Sequence, residues 1–137
     1  MEESYQVERD QPVTLDEINT LRSSVGWDLV DETYHQVLGR GYAHYTVREE
    51  GRLVGFVNVL SDGIADAFLL DLVVHNDFQR RHIGTVIVKR AVRDLTEDGI
   101  QCIHVTFNPE NESFYKSVGF HIFKAGIIDN RPVKMDR

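Results

Sequence analysis

Asp71-Leu72-Val73-Val74-His75-Asn76-Asp77-Phe78-Gln79-Arg80-Arg81-His82-Ile83-Gly84-Thr85 carries an apolar strand through a polar, basic turn directly into a helix. Such a junction gathers the unpaired N–H groups of a helix start and the positive end of the helix dipole at one point, which makes an anion site. Arg80 and Arg81 add positive charge to it. The turn therefore has the makings of a grip for the pyrophosphate of a nucleotide-bearing cofactor.

The elements on either side follow from periodicity. Upstream, Phe68-Leu69-Leu70-Asp71-Leu72-Val73-Val74 is nearly all apolar, as in a central strand covered on both faces, and this strand is read over residues 65–74. Downstream, Ile83, Val86, Ile87, Ala91 and Leu95 recur close to a period of 3.6, and Gly99 closes a helix read over 83–97. A strand over 100–107 comes next, so strand, helix and strand form a crossover unit whose two strands run parallel. Before the central strand, residues 42–48 and 52–60 alternate between the turns Glu49-Glu50-Gly51 and Ser61-Asp62-Gly63, which reads as an antiparallel meander.

Toward the amino terminus, residues 4–9 alternate as a short first strand. Thr14 and Glu17 then have capping-box spacing at the head of a helix carrying Leu15, Ile18, Leu21 and Arg22. Asp31 is read as the cap of a second helix with Tyr34, Val37 and Leu38, stopped by Gly39 and Gly41. Between the two lies Trp27, flanked by Gly26 and Asp28, which serves either as a core plug or as the wall of a pocket. Toward the other end a short helix over 111–117, a strand over 121–123 and a last strand over 132–135 complete an α/β pattern.

Composition narrows the class. A chain of 137 residues, 42% hydrophobic and 27% charged, reads as one soluble domain over residues 1–137. A net charge of −7 argues against nucleic acid as a partner. The single cysteine, Cys102, allows no internal disulfide framework and fits a reducing compartment. Cys102 and His104 share a strand face but lack further spaced ligands, so no metal is expected. With an acidic amino terminus and no apolar run of membrane length, the expectation is a cytoplasmic protein without a membrane partner. Gly-x-Ser-x-Gly, His-Glu-x-x-His and Walker motifs are absent, which argues against a serine hydrolase, a zinc protease and a nucleoside-triphosphatase.

Gln79-Arg80-Arg81-His82-Ile83-Gly84 resembles the Gln/Arg-x-x-Gly-x-Gly/Ala pyrophosphate loop of the GNAT superfamily of acyl-CoA-dependent N-acetyltransferases. Asn111-Glu112-Ser113-Phe114-Tyr115-Lys116-Ser117-Val118-Gly119-Phe120 is similar to that superfamily's Asn-x-x-(small)-Phe-Tyr-x-x-x-Gly-Phe helix, at the expected distance downstream. The resemblance is close over residues 68–123. Leu70-Asp71-Leu72-Val73-Val74 also resembles, apart from a tryptophan, the corresponding run of the arylalkylamine, serotonin-type branch.

The resemblance implies a GNAT-type acyltransferase fold: a mostly antiparallel sheet of six to seven strands with a parallel, splayed pair, and about four flanking helices. It implies acetyl-CoA as acyl donor and direct attack by a primary amine, of a small molecule, within a ternary complex; it allows a homodimer. Acetylation of a protein or peptide amine and a non-catalytic CoA-binding domain are the alternatives. In this reading the main chain of Leu72, Val73 and Val74 meets the thioester end, and Gln79, Arg80, Arg81, His82, Ile83, Gly84 and Thr85 hold the pyrophosphate. Asn111, Phe114 and Lys116 line the cofactor, Asn111 doubling as a suitable helix cap, and Trp27 and Asp28 belong to the acceptor side.

Tyr115 falls on the position that protonates the departing thiolate, for which its ordinary pKa of about 10 suits it; the alternative is a tyrosine packed between helix and sheet. Asp71 interrupts an apolar strand, and a carboxylate there is costly unless it is paired or opens to a cavity. It either attracts or deprotonates the amine, or is a structural aspartate bonded to backbone N–H groups. His82 departs from the pattern by replacing the first loop glycine, and histidine is among the residues that tolerate positive φ.

Overall fold

Thr14 opens the first helix as its spacing predicts: its Oγ1 accepts the Glu17 N–H at 3.1 Å while the Glu17 carboxylate accepts the Thr14 N–H at 3.0 Å. The computed structural model describes residues 5–132. Its elements, in order, are β1 (Val7–Arg9), α1 (Leu15–Ser24), α2 (Thr33–Arg40), β2 (Ala43–Glu49), β3 (Arg52–Ser61), β4 (Asp66–Val74), α3 (Ile83–Glu97), β5 (Cys102–Val105) and α4 (Glu112–Ser117). Single 3-10 turns at Asn76–Phe78 and Pro109–Asn111 precede α3 and α4. Asp31 accepts the Thr33 N–H at 2.9 Å at the head of α2, and the helix runs through Gly39 to end at Gly41.

The strands lie in the order β1-β2-β3-β4-β5, antiparallel throughout except for the parallel pair β4·β5. The helix between β4 and β5 dictates that one parallel pair. The apolar stripe of α3, Ile83, Ile87, Val88, Ala91 and Leu95, covers one face of the sheet against Val47, Val57, Val59, Ala67 and Leu69. On the other face Ile18 and Leu21 of α1 and Tyr34 of α2 pack on Leu53, Phe56 and Val73. Arg90 of α3 is part of the packing rather than a free cation, since it bonds Asp94 at 3.0 Å and the Val7 carbonyl at 2.7 Å.

One irregularity sets the course of β4. Asn58 faces Leu70 and Phe56 faces Val73, so two steps on β3 are matched by three on β4. The extra residue is a β-bulge, and Asp71 within it takes φ of +59°. The bulge reverses the strand's facing. Leu69 packs toward α3, whereas Val73, four residues on and therefore on the same side of a regular strand, packs instead toward α1 and α2. Pairing with β5 ends at Leu69↔Val105, just before the bulge, so among the described residues no strand pairs with the second half of β4 on that side.

Three expectations are corrected. Among the described residues the sheet has five strands, where six to seven were expected. Residues 121–123 are coil, with Ile122 and Phe123 39% and 86% exposed, so that stretch lays no apolar face on the core that would hold it as a strand. The strand expected over 132–135 lies, after Pro132, outside the described residues. Nor is β4 covered on both faces: Ala67, Leu69 and Val73 are buried, but Phe68, stacked on His104, is 43% exposed, and Leu70 to Leu72, where the bulge falls and β5 has parted, are half-buried.

Gly55 of β3 lies beneath α3, where an added Cβ would come within 2.7 Å of Ile87 Cδ1 and 2.8 Å of Ile83 Cγ2. Both methyls belong to stiff, fully packed isoleucines. Gly55→Ala is therefore expected to lower stability by about 1–3 kcal/mol, read as a lower urea midpoint at unchanged slope; a midpoint at or above wild type would show that α3 moves out freely.

Candidate functional site

The gap opened by the bulge and the parted strands is the centre of the site. Trp27, Leu69, Leu70, Asp71 and Leu72 on one side, and Val105, Thr106, Asn111 and Tyr115 on the other, wall a narrow recess of about 60 Å³. A larger cavity of about 540 Å³ adjoins it, bounded by Leu72, Val74, Phe78, Gln79, Arg80, His82, Ile83, Gly84, Thr85, Asn111, Phe114 and Tyr115. Leu72, Asn111 and Tyr115 are walls of both.

The far end of the larger cavity is the start of α3. Its helical bonding begins with the Val86 N–H donating to His82 O at 3.1 Å, so by helix geometry the amides of Ile83, Gly84 and Thr85 project from the end. Arg80 and His82 take φ of +64° and +65°, and this pair of left-handed residues curls the loop over the helix terminus. His82 is the N-cap residue but makes no side-chain cap bond. Among the described residues Arg80 has no acidic partner, leaving its charge to the cavity it lines. Gln79 braces the loop by donating from Nε2 to the Val74 carbonyl at 3.2 Å. Gly84 sits close beneath the Phe114 ring, where an added Cβ would meet Phe114 Cζ at 3.4 Å, an ordinary contact.

Tyr115 stands where the two spaces meet. Its ring stacks on Phe107 at 4.6 Å and meets Phe114 and Phe120 edge-on at 5.0 Å and 5.7 Å. Its hydroxyl has no hydrogen-bond partner among the described residues, and burial pushes the phenol up to about 12. It is thus a protonated donor over the whole neutral range, fixed by packing alone. Asn111, at the head of α4, makes no side-chain cap bond, so its amide is not consumed in the way a capping role requires.

Asp71 is bound by side chains rather than by the backbone. The Tyr34 hydroxyl donates to Oδ2 at 3.0 Å, and Nη1 of Arg22, itself only 5% exposed, lies 3.9 Å from Oδ1. Arg22 Nε also donates to the Asp28 carbonyl at 2.6 Å, and its guanidinium lies 5.3 Å over the Trp27 ring. One arginine thereby fixes the Trp27 loop, Asp71 and α1 together. Motif and spacing alone mark neither Arg22 nor Tyr34 as a site residue. A signal was nevertheless present: Arg22 falls in the apolar stripe of α1, where a charge needs a partner.

Other expected residues stand apart from the cavities. Lys116 pairs with Glu112 at 3.3 Å on the outside of α4. Arg81 lies over the Phe78 ring at 4.9 Å and faces Glu49 at 3.9 Å. The Val73 side chain is buried against α1 and α2. Asp28 is exposed near the recess, not in its wall. His104, stacked on Phe68 at 4.6 Å, bonds Asp66 at 2.9 Å.

What the larger cavity fits is a phosphorylated, elongated ligand. Outward-facing amides at a helix start and an unpaired arginine suit a pyrophosphate. A strand edge left unpaired beyond Leu69 suits an extended chain bearing amides, and the proton of Tyr115 waits at the inner end.

Known proteins share this fold. Residues 40–122 match the acetyltransferase (GNAT) domain family. The chain is 36% identical over 69 residues, half of its length, to the uncharacterised N-acetyltransferase ycf52 of Pyropia yezoensis. Over 70 residues, 51% of its length, it is 33% identical to the chloroplastic serotonin N-acetyltransferase 2 of Oryza sativa. It spans 40% and 35% of those two relatives' own lengths. A GNAT family acetyltransferase structure from Streptococcus pneumoniae superposes on 95% of this chain and all of its own with a TM-score of 0.75 at 25% identity.

Asp71→Asn is expected to lower stability by about 1–3 kcal/mol, because it removes the carboxylate charge that faces the buried Arg22 guanidinium and accepts from Tyr34. Equilibrium urea unfolding measures this, and an unchanged midpoint would show that the carboxylate tethers nothing.

Proposed function

Because this chain belongs to the GNAT acetyltransferase domain family, we propose that it moves the acetyl group of acetyl-CoA onto the primary amine of a small molecule. The observation that carries this reading is the position of Tyr115, a buried and protonated phenol at the meeting of the long cavity and the Asp71 recess. The serotonin N-acetyltransferase relative supports an amine acceptor. The narrowness of the recess between Trp27 and Tyr115 favours a small one.

Bound acetyl-CoA supplies a thioester-activated acetyl group. Around it, the amides of Ile83, Gly84 and Thr85 with Arg80 hold the pyrophosphate, and Asn111 and the open edge of β4 at Leu72 and Val74 hold the pantetheine arm. Trp27 and Asp71 border the acceptor's side, where the Asp71 carboxylate favours arrival of an ammonium. The amine must lose its proton before it attacks. As the N–C bond forms and the C–S bond breaks, the hydroxyl of Tyr115 gives its proton to the leaving thiolate, which departs as coenzyme A thiol. The excess proton of the attacking amine returns to solvent or to the tyrosinate. Holding amine and thioester together in one gap removes most of the entropic cost of their encounter.

Thiol release from acetyl-CoA across a panel of primary amines tests the activity; acetyl-CoA binding without release on any amine would favour a non-catalytic domain. Tyr115→Phe should lower kcat by about 100-fold or more while the acetyl-CoA Kd stays within about twofold, and an unchanged kcat removes Tyr115 from the reaction. The pH profile has a definite sign. Activity rises as the acceptor deprotonates, and with Tyr115 protonated up to about 12 no falling limb from it is expected below about pH 10. A descending limb near neutrality that Tyr115→Phe abolishes would contradict this.

A further inference from the structure

His75 follows β4 and opens the turn that leads to α3, and its backbone is tied on both sides. Its N–H donates to the Val54 carbonyl of β3 at 2.9 Å, and its carbonyl accepts the Phe78 N–H at 2.8 Å. The residue is buried, and two donors converge on its ring. Nη2 of Arg52, at the start of β3, stands 3.1 Å from Nε2, and the Asp77 N–H points at Nδ1, also at 3.1 Å. Phe78, a wall of the larger cavity, meets the imidazole edge-on at 5.9 Å, and the Arg52 guanidinium lies 5.5 Å over the Phe78 ring. Arg52 is thereby in contact with both the histidine and the cavity wall.

A guanidinium and a main-chain N–H can only donate, whereas a neutral imidazole has a single acceptor nitrogen. The ring therefore accepts from one of its two donors, and its own N–H faces the other. Their surroundings decide which. The Asp77 carboxylate lies 3.9 Å from Nδ1 and suits an Nδ1–H, while an Nε2–H would be set directly against the Arg52 guanidinium. Neutral His75 accordingly carries its proton on Nδ1 and accepts from Arg52 at Nε2. An imidazolium has no acceptor at all, so protonation ends that bond and sets a second cation against Arg52. On the other elements around this turn, Arg81 lies 4.9 Å over the Phe78 ring with Glu49 3.9 Å from it, and the uncharged Ser24 hydroxyl of α1 accepts the Asn76 N–H at 3.1 Å.

We propose that His75 is a positioning residue that makes the larger cavity sensitive to pH: neutral, it holds Arg52 over Phe78 and keeps that wall in place; protonated, it releases Arg52 and the wall loosens. Histidine is the side chain whose charge ordinarily changes near neutrality. The consequence is a ligand affinity that falls on acidification through this chain's own loop, over and above any titration of the ligand. The ligand arm of the test rests on the acetyl-CoA reading above, whereas the proton and the partner of His75 are measurable in the free protein.

In the free protein with 15N-labelled histidine, NMR at about pH 8 should show His75, identified by the signal lost in His75→Gln, with Nδ1 protonated and Nε2 bare. Acetyl-CoA binding is then titrated calorimetrically at about pH 8 and pH 6. Glutamine offers an acceptor near the place of Nε2 and does not titrate. His75→Gln should therefore bind within about twofold of wild type at the higher pH, and its loss of affinity on going to the lower pH should be about 3- to 10-fold smaller than that of wild type. Arg52→Gln should bind about 3- to 10-fold more weakly than wild type at the higher pH and share the shallow pH dependence. Titration of the ligand itself is common to all three proteins and cancels. A protonated Nε2 at the higher pH, an equal loss in wild type and His75→Gln, or wild-type affinity in Arg52→Gln overturns the proposal. Wild type that binds no acetyl-CoA at either pH would overturn the acetyl-CoA reading instead. The Phe78 ring signals then decide on His75: they should shift between the two pH values in wild type and stay in Arg52→Gln, and equal behaviour in both overturns the proposal.

Discussion

The Asp71 carboxylate is the point at which the amino-terminal half of the chain is fastened to the half that forms the ligand cavities. Tyr34 of α2 donates to one oxygen and Arg22 of α1 faces the other. Asp71 itself lies in the bulge that turns β4 over. A non-glycine residue at positive φ is disfavoured by sterics, and aspartate is among those that bear it best. The two partners hold the carboxylate in place, while the bulge redirects Val73 into the α1 and α2 core and leaves Leu72 and Val74 toward the cavity. Without it β4 would keep its regular facing, and the two helices would lose the Val73 contact through which they grip this strand.

A second constraint acts at the other end of β4. The chain must pass from the strand edge into α3 in few residues, and it does so through two left-handed positions, Arg80 and His82. Glycine would meet that demand at no steric cost. Histidine meets it at some cost, and its ring then joins the cavity wall in the place where a glycine would leave space. The backbone path at the helix start is therefore compatible with histidine, and the amides of Ile83, Gly84 and Thr85 still face outward.

Most of the scaffold was legible because it depends on local rules. The capping box at Thr14, the α3 boundaries and the meander turns follow from neighbours three or four residues apart. The parallel β4·β5 pair follows from a helix intervening between them. What escaped is non-local. Nothing near Asp71 in sequence announces Tyr34, 37 residues upstream, as its partner. A charge in each of two apolar patterns, Arg22 in α1 and Asp71 in β4, was the available hint, since two buried charges on separate elements favour meeting each other. Residues 121–123 misled for the opposite reason: Ile122 and Phe123 look like strand residues locally, but strand formation needs a neighbour to pair with and a face to bury.

The two halves of the site are built differently. On the side of α3 the cavity is bounded by main-chain groups at a helix start and along a strand edge, and these depend on backbone course rather than on side-chain identity, which is why a histidine can stand in that loop. On the side of Trp27 the wall is held by side chains instead: Arg22 faces Asp71, bonds the Asp28 carbonyl and lies over the Trp27 ring, so a change at Arg22 or Asp71 disturbs the fold as well as the recess. A chain with net charge of −7 attracts cations over its whole surface. Arg80, which has no acidic partner among the described residues, therefore gives the cavity it lines a local positive charge against that general field.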